Sequence, residues 1–206
     1  QLNEQQKQAV QTVEGPVLLL AVPGSGKTTV LVTRLGYMIH CKGIDPRRIL
    51  TVTYTVVATK DMAARFAAKF GPELAEQLEF RTINGICAKV LQYYGYRTGK
   101  TPHQLLNDEK RIAGILAEIY QQVERVYPTD GDLKNIRTLI TYIKNMMLNE
   151  DEIEALDEEA ECKISVIYRE YCSKLKELQM IDYDDQMVYA YVMLKKIPWL
   201  LAYFQE

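Results

Sequence analysis

Long apolar runs, paired cysteines and a strong net charge are all lacking in this 206-residue sequence. Its longest clean apolar run, Val17 to Val22, is far shorter than the ~20 residues that a helix needs to cross a bilayer. The polar start, Gln1 to Gln8, does not have the pattern of a signal peptide. These features predict a cytoplasmic protein that does not span a membrane.

Cysteine is scarce, and positions 41, 87, 162 and 172 form no C-x-x-C pair. This spacing argues against a zinc site and against a disulfide framework, so we expect buried, reduced thiols. The composition is 48% hydrophobic and 25% charged, which is typical of a globular chain and excludes a disordered or collagen-like one.

Charge is unevenly placed, although the formal net charge is only -2. Residues 30–100 hold 11 Lys and Arg against 5 Asp and Glu, whereas residues 101–206 hold 12 against 20. A locally basic face can attract phosphates, but an ordinary solvated surface explains the same counts, so charge alone leaves nucleic-acid binding open. The acidic stretch Glu150 to Glu161 is expected to be an exposed helix or linker.

Strand and helix patterns alternate in the first hundred residues, which is typical of a right-handed parallel α/β sheet. A short helix capped by Asn3 precedes a strand, Val17 to Ala21, that is apolar enough to be buried on both faces. Further strands are predicted over 48–55 and 79–83, and helices over 27–40 and 57–70. From about residue 103 only helical periodicity remains, which predicts a small helical domain.

A phosphate-binding loop is predicted between the first strand and its helix. The segment reads Ala21-Val22-Pro23-Gly24-Ser25-Gly26-Lys27-Thr28, and this context is the one that a P-loop requires. The glycines let backbone N–H groups point at phosphates. Lys27 would contact the β- and γ-phosphates of ATP and Thr28 would ligate Mg²⁺, so these two are the candidate catalytic residues.

The segment before the loop, Leu2 to Val10, resembles the Q motif of superfamily 1A DNA helicases, the UvrD, Rep and PcrA group. In that resemblance the amide of Gln6 reads adenine, because an amide can donate and accept at once. Thr29 stands where the family often has Arg, which weakens the expected stacking on the nucleotide. The ATP-binding set implied is Gln6, Ala21, Val22, Pro23, Gly24, Ser25, Gly26, Lys27, Thr28 and Thr29.

Two further segments are similar to the family's DNA-contacting motifs. Residues 49–62 resemble motif Ia, and the resemblance implies that Tyr54 stacks on single-stranded DNA beside Thr53 and Thr55. Val56 and Val57 stand where the family has Asn and Lys. One polar contact to the backbone and one contact to a phosphate are therefore in doubt. Residues 82–87 resemble motif Ib more loosely and imply phosphate contacts by Thr82 and Asn84.

A basic face beside these DNA motifs is a further hypothesis. It would be built by side chains that lie in or near the two motifs, namely Lys60, Arg65 and Lys89.

The acidic cluster at 182–185 is a candidate for the metal-binding Walker B motif, but too few apolar residues precede it. Asp182 is therefore predicted to be a helix N-cap with Asp185 in the first turn. Asp184 is expected to line a DNA or nucleotide surface and is not assigned to metal.

The family layout implies a RecA-like P-loop parallel sheet with an inserted all-α subdomain. Its three parts would be residues 1–88, a helical insertion over 89–180, and a return over 181–206. The family's D-E-x-x motif and its second RecA-like domain would follow residue 206, so we expect an N-terminal part, monomeric, that does not hydrolyse ATP alone. Its parent would be an ATP-dependent 3′-to-5′ DNA helicase, a polarity taken from the resemblance.

Two other functions remain open from the sequence. The run Pro23 to Lys27 also occurs in small nucleotide kinases, although residues 101–206 offer only four Arg to hold an acceptor phosphate. A non-catalytic nucleotide-binding interaction module is the third hypothesis. Salt-sensitive binding of single-stranded DNA would separate the helicase from both.

Overall fold

The computed structural model describes residues 2–22 and 24–205, and the chain divides into two compact units. The first contains the residues up to Ile86, and the second is Cys87–Gln205. The described residues form helices and two short parallel sheets, which agrees with the predicted α/β class. The three-part division at residues 88 and 180 stays a prediction.

The elements of the first unit follow the predicted order, except that the described residues form no strand before the helix that begins at Lys27. Its elements are α1 (Glu4–Gln11), α2 (Lys27–His40), a 3-10 turn (Pro46–Arg48), β1 (Leu50–Thr53), α3 (Val56–Phe70), α4 (Pro72–Ala75), β2 (Glu79–Thr82) and the start of α5 (Ile83–Thr98).

Local capping explains where several of these helices begin and end. Asn3 caps α1 in a capping box with Gln6, as predicted for Asn3, and the hydroxyl of Thr55 caps α3. At the other end of α3 the chain turns at Gly71, whose φ of 96° favours glycine. The two N-terminal caps satisfy N–H groups that a helix leaves unpaired, and at the C-terminus the Gly71 N–H donates to the carbonyl of Ala67.

The β1 and β2 strands pair in parallel over four residues, from Leu50 opposite Glu79 to Thr53 opposite Thr82. The connection between them is helical, which confirms the predicted strand–helix–strand order. Helices α2 and α3 contribute the apolar core of this unit. Its buried members are Val32, Leu35, Ile49, Met62, Phe66 and Leu78.

The prediction of a buried strand over Val17 to Ala21 is wrong for this structure. These residues belong to no strand, and Leu18 and Leu20 are 84% and 83% exposed. A parallel strand becomes buried only when neighbouring strands pair with it and helices cover its faces. Within the described part of the chain, β1 and β2 pair with each other and neither pairs with this segment.

Helices dominate the second unit, as the periodicity predicted. After α5 its elements are β3 (Gln104–Leu105), α6 (Glu109–Glu124), α7 (Asp130–Met146), α8 (Glu150–Ala160), α9 (Ile164–Glu177), β4 (Met180–Ile181), α10 (Tyr183–Lys196) and α11 (Pro198–Gln205). The acidic stretch thus forms the helix α8. The β3 and β4 strands pair in parallel over two residues each, a ladder too short to show in the sequence pattern.

The core of this helical unit is built mainly from apolar residues that recur with helical spacing. Leu106 and residues from α6, α7, α8 and α9 form one buried cluster. Its other members are Ile112, Leu116, Ile119, Ile136, Ile140, Ile143, Ile153, Ile164, Ile167, Tyr171 and Leu175. A smaller cluster joins α5, β4, α10 and α11 through Val90, Leu91, Ile181, Ala190 and Leu200.

The four cysteines are free, as expected, but they are less buried than the sequence suggested. Cys41 is exposed and the other three are half-buried. None of the helices described is both long and apolar enough to span a membrane.

Packing between α2 and α3 leads to a stability prediction at Gly36. A Cβ at this position would lie 2.1 Å from Cζ of Phe70, whose ring contacts Phe66 and His40. We expect Gly36→Ala to lower the free energy of unfolding by about 1–3 kcal/mol, because the clash outweighs the gain in helix propensity. Urea unfolding measures the change.

Gly114→Ala on α6 is the matched control, because a Cβ there meets nothing within 4 Å. It should stabilise the protein by about 0.5–1 kcal/mol. Equal effects of the two substitutions would contradict the packing at Gly36.

Candidate functional site

The loop before α2 has the backbone geometry of a phosphate cradle. Gly24 and Gly26 adopt φ angles of 80° and 79°, in the left-handed region that glycine occupies without strain. Ser25 lies between them, and its amide donates to the carbonyl of Val22 at 3.2 Å. The loop thereby curls back on itself immediately before the helix. Pro23, a predicted ATP-binding residue, lies outside the described residues.

The N-terminus of α2 opens directly from this loop. Gly26 is its N-cap and has no side chain with which to cap the first N–H groups. Those donors and the positive end of a 14-residue helix form a ready site for an anion. Thr28 is half-buried in the first turn, whereas Thr29 is exposed.

The ammonium group of Lys27 lies over the loop. It donates to the carbonyls of Ala21 and Val22, at 3.2 Å each. Both acceptors are neutral, so a phosphate oxygen reaching the loop would be a stronger partner for this charge. The side chain is exposed and therefore accessible to such a ligand.

Gln6 is brought to the same loop by α1. Its Nε2 donates to the carbonyl of Ser25 at 3.1 Å, and its Oε1 accepts from the amide of Asn3 at 3.0 Å. An amide group has a second N–H and a second lone pair. Gln6 can therefore support the loop and still offer one donor and one acceptor to a ligand.

One buried polar atom in the loop lacks a partner. The Ser25 hydroxyl is buried and makes no hydrogen bond to any residue that the structure describes. An unsatisfied buried hydroxyl costs free energy, which a phosphate oxygen at the loop would relieve. Together with the two left-handed glycines, this orphan hydroxyl shows that the residues present fit a phosphate.

Metal ligands are sparse around the loop. Over residues 2–22 and 24–205, no three His, Cys, Asp or Glu side chains group closely enough to hold a metal ion. The predicted ligand Thr28 supplies one hydroxyl. Magnesium commonly binds through one or two protein groups, phosphates and waters, so this donor fits a metal held mainly by a nucleotide.

The predicted DNA-binding residues converge on one edge of the two-stranded sheet. Thr53 and Thr82 end β1 and β2 and lie directly opposite each other in the ladder. Helices α3 and α5 begin immediately beyond them. Two helix N-termini therefore lie at the same strand edge, where their dipoles favour an anionic ligand.

Most of the hydroxyl groups at this edge have local structural roles. Thr53 donates to the carbonyl of Thr55 at 3.0 Å and its hydroxyl also contacts that of Thr59. Thr55 accepts from the amide of Ala58, and Thr82 accepts from the amide of Gly85 at 3.0 Å. These bonds hold the two strand-to-helix turns.

Tyr54 differs from its neighbours because it is 89% exposed. Val56 and Val57 beside it are also exposed. A tyrosine at a strand end is often a core residue, but this ring is not packed in the core. It is available for stacking against a planar ligand.

Asn84 presents a second orphan group at this edge. Its Oδ1 is buried and accepts no hydrogen bond from the residues described. The Asn84 Oδ1 and a phosphate oxygen are both hydrogen-bond acceptors, so they cannot pair with each other. The Nδ2 group of Asn84 is a donor and is therefore the group suited to the predicted phosphate contact.

The proposed basic face is only partly supported by the positions of its members. Lys60 and Arg65 are exposed on α3, and Arg65 pairs with Asp61 at 2.8 Å. Lys89 lies on α5 in the second unit. A continuous basic face that includes all three therefore stays a prediction.

The acids at 182–185 form a buried network in the second unit. Asp182 caps α10 in a capping box with Asp185, which confirms the N-cap prediction. Its Oδ2 lies 2.9 Å from the ammonium of Lys144 and accepts from the Tyr171 hydroxyl at 3.1 Å. Lys144 also contacts Asp185 at 2.8 Å, and Arg137 approaches Asp182 at 3.4 Å.

The expectation that Asp184 lines a ligand surface is wrong. The side chain is buried, and it accepts from the Thr141 hydroxyl at 2.8 Å and the Asn145 amide at 3.0 Å. Both partners lie on α7. Its carboxylate thus joins α10 to α7 and does not face solvent.

Ionisation within the network is set by competition between burial and pairing. Burial acts to raise the pKa of Asp182, but Lys144, the Asp185 amide and Arg137 outweigh it and lower the pKa. Burial acts to lower the pKa of Lys144, yet Asp182 and Asp185 reverse the direction and raise it. Burial raises the pKa of Asp185, and the nearby charge of Asp182 acts in the same direction.

Sequence reasoning missed this network, although a signal was present. Lys144 follows the buried positions Ile136 and Ile140 on α7 with helical spacing, and a lysine on a buried face requires a buried carboxylate. The pattern at 182–185 predicts helix capping and, for Asp184, a ligand surface, and neither interpretation includes a contact with Lys144.

Comparison with known proteins assigns the chain to a family. The family described as UvrD/REP helicase N-terminal domain matches residues 2–206. The chain belongs to this UvrD/REP helicase family. The resemblance inferred from the Q motif, the P-loop and motif Ia is thus confirmed.

Several bacterial relatives of the UvrD/REP family are named ATP-dependent DNA helicase PcrA. The chain is 28% identical over 206 residues to the one from Leuconostoc citreum and 28% to the one from Bacillus subtilis (strain 168). It is 27% identical over 207 residues to one from Staphylococcus epidermidis. All of this chain is covered, but only 27–28% of each relative, so it spans about a quarter of their length.

The buried network leads to a pH-dependent stability prediction. Asp182→Asn keeps an N-cap side chain but removes the charge that Lys144 contacts. We expect the free energy of unfolding at pH 7 to fall by about 2–3 kcal/mol, because Lys144 stays buried with one partner fewer. Urea unfolding across pH 3–7 measures it.

The pH dependence follows from the lowered pKa of Asp182. Its stabilisation is present above its ordinary value of 3.8 and is lost as pH falls through the lower folded value. The gap between wild type and variant should therefore narrow below about pH 4. Glu177→Gln, which removes an exposed pair with Lys174, is the control and should change little. If Asp182→Asn and Glu177→Gln lower the free energy of unfolding by the same amount at every pH, the stabilising role of the buried network is contradicted.

Proposed function

We propose that this chain is the ATP- and single-stranded-DNA-binding N-terminal portion of an ATP-dependent DNA helicase. The observation that carries the proposal is the glycine loop with left-handed residues at 24 and 26, opening directly into α2 and contacted by Gln6. Family membership supports the helicase assignment. Movement along DNA from 3′ to 5′ is part of the proposal and rests on the resemblance alone.

At finer detail, we propose a RecA-like parallel sheet interrupted by an all-α subdomain at about 89–180. The parallel pairing of β1 with β2 and the helical second unit support this architecture.

Each loop residue has a distinct proposed role toward ATP. Backbone N–H groups from Gly24 to Thr28 would bind the β-phosphate, and the Lys27 ammonium would leave its two carbonyls for the phosphate chain. The free N–H and lone pair of Gln6 would read adenine. Ala21 and Val22 would hold the Lys27 ammonium until a phosphate binds, and Pro23, Ser25 and Thr29 complete the proposed ATP-binding set.

Magnesium is proposed as the second cofactor, held by the Thr28 hydroxyl. Bound there, the ion would neutralise charge on the β- and γ-phosphates. The chain's own contribution is to place that hydroxyl in the first turn of α2, next to the loop.

Single-stranded DNA is the proposed partner at the strand edge. Tyr54 would stack on a base, and the N-termini of α3 and α5 would attract the phosphates beside Thr53, Thr55, Thr82 and Asn84. The threonine hydroxyls are engaged locally, so we propose that they position these helix ends.

Hydrolysis and unwinding are proposed only for the whole protein. A carboxylate is needed to orient the attacking water, and the acids at 182–185 are occupied in the buried network. We therefore propose that this chain binds ATP without appreciable turnover. A cytoplasmic location and a monomeric state belong to the same proposal.

The central prediction for ATP is that Lys27→Ala strongly weakens its binding. Loss of a charge-assisted contact to phosphate should weaken affinity at least about tenfold. Isothermal titration with Mg-ATP measures it. Lys42→Ala, at the opposite end of α2 where the ammonium lies over the Tyr37 ring, is the control and should bind normally. Unchanged affinity in Lys27→Ala would refute the loop assignment.

For DNA we predict that Tyr54→Ala weakens binding of a single-stranded oligonucleotide by about 1–3 kcal/mol, because one base stack is lost. Tyr54→Phe should retain the affinity. Tyr127→Ala removes a ring that is 80% exposed in the second unit and serves as the control. Fluorescence anisotropy of a labelled oligonucleotide provides the measurement, and equal binding by the two alanine variants would exclude Tyr54.

A further inference from the structure

Two stacked aromatic pairs join α5 to α11 within the second unit. Tyr93 stacks on Tyr203 with ring centroids 3.8 Å apart and planes 11° from parallel. Tyr94 lies parallel to Trp199, at 6.0 Å and 10°. Phe204 meets both Tyr93 and Tyr203 edge-on. This arrangement fixes several rings in place before any ligand arrives.

These rings are only partly covered. Tyr203 is 45% exposed and Trp199 is 41% exposed, although each already stacks on a neighbour. Tyr96, on the same turn of α5, is 84% exposed. A ring that its neighbours hold in place and that is still partly exposed can contact a further ring system.

Cations lie among the rings. The guanidinium of Arg97 is 5.4 Å from the Trp199 ring centroid and 5.8 Å from that of Tyr93, and it donates to the Tyr93 hydroxyl at 2.9 Å. The Lys100 ammonium is 5.9 Å from the Tyr94 ring. Neither cation forms an ion pair with any residue that the structure describes, so both charges are available to a ligand.

Carboxylates are missing from the segments that build this surface. Residues 80–107 and 186–205 contain no Asp or Glu, whereas Lys195 and Lys196 end α10 just before α11. All acids of the second unit fall within residues 108–185. In a unit where acidic residues outnumber basic ones, these two carboxylate-free segments are the part suited to a polyanion.

We infer that this surface binds single-stranded DNA by stacking bases on its rings and pairing phosphates with its cations. We call it the α5–α11 surface, defined by Tyr94, Tyr96, Arg97, Lys100, Trp199 and Tyr203. Exposed rings interleaved with unpaired cations match unpaired bases on a phosphate backbone. An acidic polypeptide would use only the cations, and duplex DNA keeps its bases stacked inside.

The inference goes beyond the proposed function because it adds a second DNA-contacting surface. Only the choice of DNA as the nucleic acid rests on that proposal. The residues involved share nothing with the strand edge at Tyr54. The two surfaces can therefore be tested separately in the same chain.

The experiment uses the fluorescence of Trp199, the single tryptophan of the chain. Titrating the 206-residue chain with an oligo(dT) of about ten nucleotides should quench this emission saturably, since a base stacked on or beside the indole quenches it. The apparent affinity should fall steeply with salt. Polyglutamate at the same charge concentration is the non-nucleic polyanion.

Variants locate the binding. Tyr96→Ala should weaken the affinity about tenfold, as expected for one lost stack. Arg97→Gln and Lys100→Gln should each reduce the slope of log affinity against log salt by about 0.7. The matched controls on other surfaces are Tyr127→Ala, Arg111→Gln and Lys110→Gln, which should bind as wild type. The folded state of each variant is checked by its unfolding midpoint in urea.

Several outcomes would overturn the inference. These are a lack of quenching by oligo(dT), equal quenching by polyglutamate, tighter binding of oligo(rU) than of oligo(dT), or identical affinities in the α5–α11 variants and their controls. Tyr54→Ala separates this inference from the proposed function. Quenching of Trp199 that persists in Tyr54→Ala supports the α5–α11 surface. If Tyr54→Ala binds the labelled oligonucleotide as tightly as wild type, that result contradicts the proposed site at Tyr54 and not the α5–α11 surface.

Discussion

Parallel pairing of Leu50–Thr53 with Glu79–Thr82 determines where the functional groups of the first unit lie. Because parallel strands run in the same direction, both end at one edge of the sheet, and each strand is followed there by a helix. That edge collects Tyr54, two helix N-termini and the capping hydroxyls of Thr55 and Thr82. The loop before α2 follows the same logic, with a helix N-terminus left uncapped by glycine. The anion binding proposed at all three places would use backbone dipoles more than side-chain charge.

The second unit depends on a different kind of interaction. Its helices α7, α9 and α10 meet around Asp182, which receives Lys144, Arg137 and the Tyr171 hydroxyl. Buried ion pairs add little net stability over an apolar core, but removing one partner leaves the other charge buried and unpaired. The network thus fixes which residues of α7 and α10 face each other. It also engages the acids that the sequence placed close to a metal-binding motif.

Local signals in the sequence were sufficient for much of this structure. The cap at Asn3, the helix from Lys27 and the parallel strands could be predicted, because short-range pattern and capping chemistry determine them. The segment at Val17 to Ala21 could not, since burial of a strand depends on neighbours distant in the chain. The prediction for Asp184 was wrong for a similar reason, because its partners Thr141 and Asn145 lie over 35 residues away in sequence. The aromatic pairs between α5 and α11 likewise arise from long-range packing.

The central claim is that the glycine loop of this chain binds the phosphates of ATP. Amide NMR of the ¹⁵N-labelled chain, recorded while Mg-ATP is added, tests it most directly because each backbone N–H reports separately. We expect the largest shifts at Gly24, Ser25, Gly26, Lys27 and Thr28, with a smaller change at the Gln6 side-chain amide that contacts Ser25. Shifts that are absent from this loop, or that cluster elsewhere in the chain, would contradict phosphate binding at the loop.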